Sequence, residues 1–132
     1  WDPYYRGGEH ADTDLDTVTS FLHGLDLSNF RLLSGVFPDE TAHHVPHDMI
    51  ALCHIDVDVY ESAKGVLDWV LPRVPLGGII VFDDYGFSGC EGVTRFVHDL
   101  RARDGICVIA NVNGHAVVVK TRAQTHERQR EP

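Results

Sequence analysis

The 132-residue sequence predicts an α/β fold with parallel central strands and a C-terminal antiparallel hairpin. Two continuous apolar runs, at 49–56 and 77–84, have the composition of strands buried on both faces. A helical pattern lies between them and another follows, an order that gives parallel strands joined by a right-handed crossover. The segment 106–121 then predicts two strands that meet at Asn113 and Gly114, a dipeptide typical of hairpin turns.

The N-terminal part predicts one helix and one short strand. The helix has Thr13 as its N-cap and ends near Gly24, and its apolar face consists of Leu15, Val18 and Leu22. The segment 30–37, FRLLSGVF, predicts a short strand followed by a turn.

Two further helices are predicted from apolar residues at i, i+3, i+4 and i+7 spacing. The first lies between the two buried strands and ends near Pro72 and Pro75, because proline cannot continue a helix. Its apolar positions are Ala63, Val66, Leu67, Val70 and Leu71. The second follows the second buried strand, with apolar positions Val93, Phe96, Val97 and Leu100.

Composition limits the possible partners and location of the protein. The sequence has 11 Lys and Arg residues but 20 Asp and Glu residues, so its net charge is -9. This charge argues against nucleic acid as a partner. No apolar stretch approaches the roughly 20 residues that a membrane span requires. Three widely spaced cysteines suit a reducing, cytoplasmic location. We expect one domain over residues 1–121 and a disordered polar tail over 122–132.

Four acidic residues follow the two buried strands. Asp56 and Asp58 close the first strand, and Asp83 and Asp84 close the second. Because the carboxyl ends of neighbouring parallel strands lie at one edge, these carboxylates are expected to converge, and a hard cation such as Mg²⁺ would relieve their repulsion. A purely structural alternative stays open for two of them: Asp58 as a helix cap and Asp84 as the start of a turn.

The segment 51–97 resembles the macrocin and mycinamicin O-methyltransferase family. An apolar strand runs into DVDVYES at 56–62, and a helix then leads to GGIIVFDDYG at 77–86 and to Gly89 and Cys90. The resemblance implies a partial class I, Rossmann-like methyltransferase sheet. It also implies transfer of a methyl group from S-adenosylmethionine to a sugar hydroxyl of a glycosylated natural product, with Mg²⁺ assisting. In such enzymes the matching acids hold the metal, here Asp56, Asp83 and Asp84, and Asp58 is the candidate general base.

The resemblance leaves the cofactor site incomplete. The family's glycine-containing loop would precede Trp1, so the chain is expected to be a fragment that lacks this loop. The remaining cofactor contacts are expected from Asp2, near the ribose, and from the residues along the adenine, Ser34, Gly35, Val36 and Phe37. Without the preceding strands the run from Met49 to Ile55 would have an unpaired edge, which predicts that the chain either self-associates as a homo-oligomer or is only marginally stable.

Two alternative functions are weighed against methyl transfer. HIDVDVY, at 54–60, also resembles the nucleophile motif of haloacid dehalogenase-type phosphatases, although only 27 positions separate Asp56 from Asp83. The other alternative is a non-catalytic metal-binding α/β module. Among the histidines, His54 is interpreted as a hydrogen-bonded core or site-lining residue, and the group HHVPH at 43–47 as a solvated loop.

Overall fold

The computed structural model describes residues 2–6, 11–45 and 49–122, and it divides the chain into two compact units. One unit comprises residues 1–2 and 47–132, and the other comprises residues 3–46. Within the described ranges, no helix is long and apolar enough to cross a membrane. The predicted tail at 122–132 lies outside the described residues except for Arg122, whose N–H donates to the Gly105 carbonyl at 3.2 Å.

The larger unit contains a four-stranded mixed sheet, which confirms the predicted α/β class. Its strands are β1 (Leu52–Ile55), β2 (Ile79–Phe82), β3 (Ile106–Ala110) and β4 (Ala116–Lys120), in the spatial order β1-β2-β4-β3. β1 and β2 are parallel, whereas β4 runs antiparallel to both β2 and β3. The positions of the two strands and of the hairpin were therefore predicted correctly. The prediction that both strands are buried on both faces was wrong for β1, because Leu52 and His54 are exposed on one face.

The described residues form three α-helices, α1 (Leu15–Gly24) in the smaller unit and α2 (Tyr60–Val70) and α3 (Glu91–Leu100) in the larger one. α2 passes into a 3-10 turn, Leu71–Arg73, where Pro72 removes an amide donor. The apolar side chains on one face of α2 and of α3 are buried, and so are alternate side chains of the strands. The largest fully buried side chains are Phe82, Leu67, Leu71, Ile80, Val74, Val93, Val97 and Val118.

Lys120 is a buried cation that sequence patterns do not predict. It ends β4 with only 7% of its surface exposed. Its Nζ donates to the carbonyls of Leu71 and Val74, at 2.9 and 2.7 Å. These carbonyls lie at the end of α2 and its 3-10 extension, where helical partners run out and a positive charge is favoured. Lys120 thus fastens the last strand to the end of the first crossover helix.

One edge and one face of the sheet are accessible and apolar. β1 pairs only with β2, so its other side has no partner strand among the described residues. Leu52 is 65% exposed and Ile109 is 52% exposed, on strands whose alternate residues are more buried. An apolar edge of this kind favours pairing with another chain.

The smaller unit differs from the sequence prediction in two places. Asp14, not Thr13, caps α1, since its Oδ1 accepts the Thr17 N–H at 2.7 Å. Residues 30–37 form no strand, so that prediction was wrong. A strand needs a partner ladder, and here Val36 is instead satisfied within a local loop: its N–H donates to Glu40 Oε2 and its carbonyl accepts the Glu40 N–H, both at 2.8 Å.

The predicted histidine loop is only partly described. Ala42–His44 form a short 3-10 turn, with the rings of His43 and His44 centred 3.8 Å apart. His47 lies outside the described residues.

Lys120→Met is expected to destabilise the fold while preserving the length of the side chain. It leaves two buried carbonyls without a charged donor, which should lower the free energy of unfolding by about 2–4 kcal/mol. Urea denaturation measures the change. The matched control is Lys64→Met, which removes an exposed pair with Asp68 and should cost less than about 1 kcal/mol. Equal effects of the two substitutions would refute the anchoring role of Lys120.

Leu52→Lys is expected to reduce self-association of the chain, because a charge on an edge strand opposes pairing with a second copy. Light scattering coupled to size-exclusion chromatography measures the mass in solution. Leu76→Lys serves as the control, since Leu76 is similarly exposed but lies outside the strands. A wild-type chain that stays monomeric at every concentration would contradict the prediction.

Candidate active site

Two of the four acids are placed by the parallel pairing of β1 and β2. The register matches Ile55 with Phe82, and the Asp83 N–H continues the ladder by donating to the Ile55 carbonyl at 2.9 Å. Asp56 and Asp83 are the next residues on adjacent strands. Because side chains alternate and both Ile55 and Phe82 are buried, Asp56 and Asp83 leave the sheet on the face opposite the core.

The charges of the other three acids all act on the carboxyl group of Asp84. Partial burial is the largest cause that raises the pKa of Asp84, and the charges of Asp83, Asp56 and Asp58 raise it further, in that order. His115 acts in the opposite direction and lowers this pKa. We refer to Asp56, Asp58, Asp83 and Asp84 as the acidic cluster. The negative charges of the other three members thus disfavour ionisation of Asp84.

Asp84 also has the structural role that the sequence left open. Its backbone is left-handed, with φ of 57°, a conformation that Asp tolerates better than most residues. Its N–H donates to Asp83 Oδ1 at 2.9 Å, and its carbonyl accepts the Phe87 N–H at 3.1 Å. Asp84 therefore starts a turn and belongs to the acidic cluster at the same time.

Asp58 lies just before α2, whose N-cap is Val59. The first amide of the helix, from Tyr60, donates to Asp2 Oδ2 at 3.1 Å. Asp58 Oδ1 instead lies 3.5 Å from the thiol of Cys90, which is 7% exposed at the start of α3. Sequence reasoning noted Cys90 only as part of a motif and missed this contact.

Two histidines contact the carboxylate of Asp83. His54 Nε2 lies 3.4 Å from Oδ2, and His115 Nε2 lies 3.3 Å from Oδ1. His54 is exposed and lines the site, which was one of its two predicted roles. His115 was predicted only as part of the hairpin, because nothing in the local pattern relates it to the acids.

Asp58 and Asp84 each have a carboxylate oxygen within 4.8 Å of the other's and of the Cys90 sulfur, and carboxylates are the type of donor that a hard divalent cation takes. Carboxylate oxygens are the ligands that Mg²⁺ prefers, and repulsion among them is the condition that a bound cation relieves. Asp56, Asp83 and Asp84 stay the predicted metal ligands.

The predicted cofactor residues lie in both units. Asp2 is next to α2, and its Oδ1 is buried without a hydrogen-bond partner among the described residues. A methyl group at Gly92 would overlap this carboxylate. Ser34 lines a groove of about 260 Å³ in the smaller unit, together with Thr13, Asp14, Leu15, Val18, Leu32 and Leu33. Gly35, Val36 and Phe37 follow it in the loop, and the cofactor role of all five residues stays a prediction.

Structural comparison confirms the class I methyltransferase fold. The O-methyltransferase NovP matches with a TM-score of 0.69 and 28% identity, over 82% of this chain and 45% of that one. A methyltransferase-like protein from Streptococcus mutans, solved in complex with SAH, matches with a TM-score of 0.60 and 14% identity, over 80% of this chain and 69% of that one. The predicted partly parallel sheet with a C-terminal antiparallel hairpin is therefore correct.

Sequence comparison identifies the family. A mycinamicin III 3''-O-methyltransferase from Micromonospora griseorubida is 34% identical over 77% of this chain and 39% of its own length. A tetracenomycin-C rhamnosyl 4'-O-methyltransferase from Streptomyces olivaceus is 35% identical over 72% of this chain and 35% of its own length. The chain thus spans less than two-fifths of these relatives. The family model described as Macrocin-O-methyltransferase (TylF) matches residues 14–121, and the chain belongs to that family.

Proposed function

We propose that the protein carrying this chain transfers a methyl group from S-adenosylmethionine to a sugar hydroxyl of a glycosylated natural product, with Mg²⁺ assisting. The observation that carries the proposal is the acidic cluster, which lies within the family's motif and at the carboxyl edge of the sheet. The named activities of the relatives, 3''- and 4'-O-methyl transfer on mycinamicin and a rhamnosylated tetracenomycin, support the choice of acceptor. Family membership disfavours the phosphatase alternative.

Asp56, Asp83 and Asp84 would hold the metal. When bound, Mg²⁺ would lower the pKa of a nearby sugar hydroxyl and so make its oxygen a better nucleophile. Asp83 and Asp84 come from one turn and Asp56 from the neighbouring strand end, so the three carboxylates approach from two directions. Both elements are tied to the core, which keeps the carboxylates in place before the substrate binds.

Asp58 would act as the general base. The hydroxyl oxygen forms a bond to the methyl carbon, the bond between that carbon and the sulfonium sulfur breaks, and the hydroxyl proton passes to the Asp58 carboxylate. The Cys90 thiol donates towards Asp58 Oδ1 and would help to orient the carboxylate. Asp2 and the loop from Ser34 to Phe37 are the proposed cofactor contacts of this chain.

Asp84→Asn is expected to stabilise the metal-free chain at neutral pH. Because the folded-state pKa of Asp84 is raised, its ionised form is disfavoured in the native state, and stability falls as the pH rises through that pKa. Asn tolerates the same left-handed backbone and removes the charge. Thermal unfolding in a chelator should show a higher midpoint for the variant at pH 7. The advantage should vanish well below the ordinary Asp value of 3.8.

Mg²⁺ should make the thermal unfolding midpoint of the wild type higher than that of Asp84→Asn. The wild type gains about 2.7 kcal/mol when free Mg²⁺ reaches about 100 times its Kd, whereas the variant has lost a ligand. Asp68→Asn, on the exposed side of α2, is the control and should keep the wild-type response to the metal. Equal stabilisation of wild type and Asp84→Asn by Mg²⁺ would remove Asp84 from the metal site.

Asp58→Asn tests the reaction itself. Transfer of labelled methyl from S-adenosylmethionine to a macrolide with a free sugar hydroxyl should fall by about 10²- to 10⁴-fold, because Asn cannot accept the proton. The affinity for Mg²⁺ should change little. The assay uses the polypeptide that carries residues 1–132, with Mg²⁺ and with a chelator.

The outcomes separate the proposed roles. Methyl transfer that persists in the chelator would contradict metal assistance. An unchanged rate in Asp58→Asn would assign the base to another group.

A further inference from the structure

The carboxylate of Asp83 is flanked by a histidine on each oxygen. His54 comes from β1, and His115 directly precedes β4, the strand that pairs with β2 on its other side. The side chains of His115 and Asp83 are 31% and 29% exposed, so water competes only in part for their contact. The Asp83 carboxylate is therefore contacted by one side chain on β1 and by another next to β4, the two strands that flank β2.

Asn111 determines which nitrogen of His115 carries the proton. Asn111 Oδ1 accepts the N–H groups of Asn113 and His115, at 2.9 and 3.0 Å. The amide nitrogen Nδ2 consequently faces His115 Nδ1 at 3.3 Å. Since an NH₂ group can only donate, Nδ1 must accept, and the proton of the neutral ring is on Nε2. The protonated nitrogen is therefore the one that lies 3.3 Å from Asp83 Oδ1, which is close enough for the ring N–H to favour the charge of the carboxylate.

The hairpin turn that carries His115 is fixed to the turn that carries Asp84. The Tyr85 N–H donates to the Gly114 carbonyl at 2.8 Å. Gly114 has φ of 81°, and a side chain there would overlap the ring of Phe87. These contacts determine the position of His115 relative to Asp83.

His54, Asp83 and His115 also have ligand atoms within 4.8 Å of one another, a spacing that a transition metal could use. Coordination through His115 Nε2 would require the ring proton to move to Nδ1. There it would face the Asn111 NH₂ group, donor against donor. The hydrogen-bonding arrangement therefore favours a donor role for His115 over ligation.

We propose that His115 is a positioning residue that orients Asp83 for the divalent metal, with His54 steadying the second oxygen. The proposal rests on the proposed function, in which Asp83 is a metal ligand. His115 lies outside the motif at 51–97, so it adds a site residue that the motif does not contain. Ligand carboxylates are commonly oriented by neighbouring polar side chains, and losing one typically weakens metal binding by about 10- to 100-fold.

The test compares Mn²⁺ binding by wild type, His115→Leu and His115→Gln, with electron paramagnetic resonance as the readout. His115→Leu should bind about 10-fold more weakly, because Leu cannot donate. His115→Gln should stay within about 3-fold of wild type, because its amide can still donate to Asp83. The control is His98→Leu, since His98 Nε2 contacts the Tyr85 hydroxyl and no member of the acidic cluster. Circular dichroism verifies that each variant is folded.

A second measurement separates this proposal from the proposed function. Nitrogen-15 shifts of the His115 ring in the metal-free chain should show a protonated Nε2 and an unprotonated Nδ1. The opposite tautomer, or equal Mn²⁺ affinity in wild type and His115→Leu, would overturn the positioning role. Loss of Mn²⁺ binding in His115→Gln as large as in His115→Leu would make His115 a ligand and also overturn it. A wild type with the expected tautomer but no Mn²⁺ binding would instead refute the metal site of the proposed function.

Discussion

The parallel pairing of β1 with β2 is the constraint on which the site depends. Its register brings Ile55 opposite Phe82 and so places Asp56 beside Asp83. Both Ile55 and Phe82 are buried, and a slip of one residue would turn Phe82 outward and Asp83 inward. The hydrophobic core therefore determines which carboxylates meet at the edge of the sheet.

The arrangement has a cost in electrostatic free energy. Four carboxylates share one strand edge, the pKa of Asp84 is raised, and the same residue has a left-handed backbone. Such repulsion is tolerated when packing elsewhere stabilises the fold, here the core between the helices and the sheet and the Lys120 anchor. A site that binds a cation through several carboxylates is expected to be destabilised in this way when no cation is bound.

The sequence predicts the parts of the structure that depend on periodicity and strand ends. The two parallel strands, α2, α3 and the hairpin follow from apolar spacing, and the neighbouring positions of Asp56 and Asp83 follow from parallel pairing. Residues 30–37 were misjudged because strand formation depends on a partner that the local sequence does not reveal. The contacts of Lys120, Cys90 and His115 were missed for the same reason, since each joins residues far apart in the chain.

The β3–β4 hairpin contributes residues to the site that lie outside the motif at 51–97. His115 lies 3.3 Å from Asp83, and Asn111 contacts the other nitrogen of the His115 ring. The central claim is that the acidic cluster forms one divalent metal centre. Anomalous diffraction from crystals grown with Mn²⁺ tests it most directly. The account predicts a single ion bound by oxygens of Asp56, Asp83 and Asp84 at about 2.1 Å. An ion held by His54 and His115, or no ion at this edge of the sheet, would contradict it.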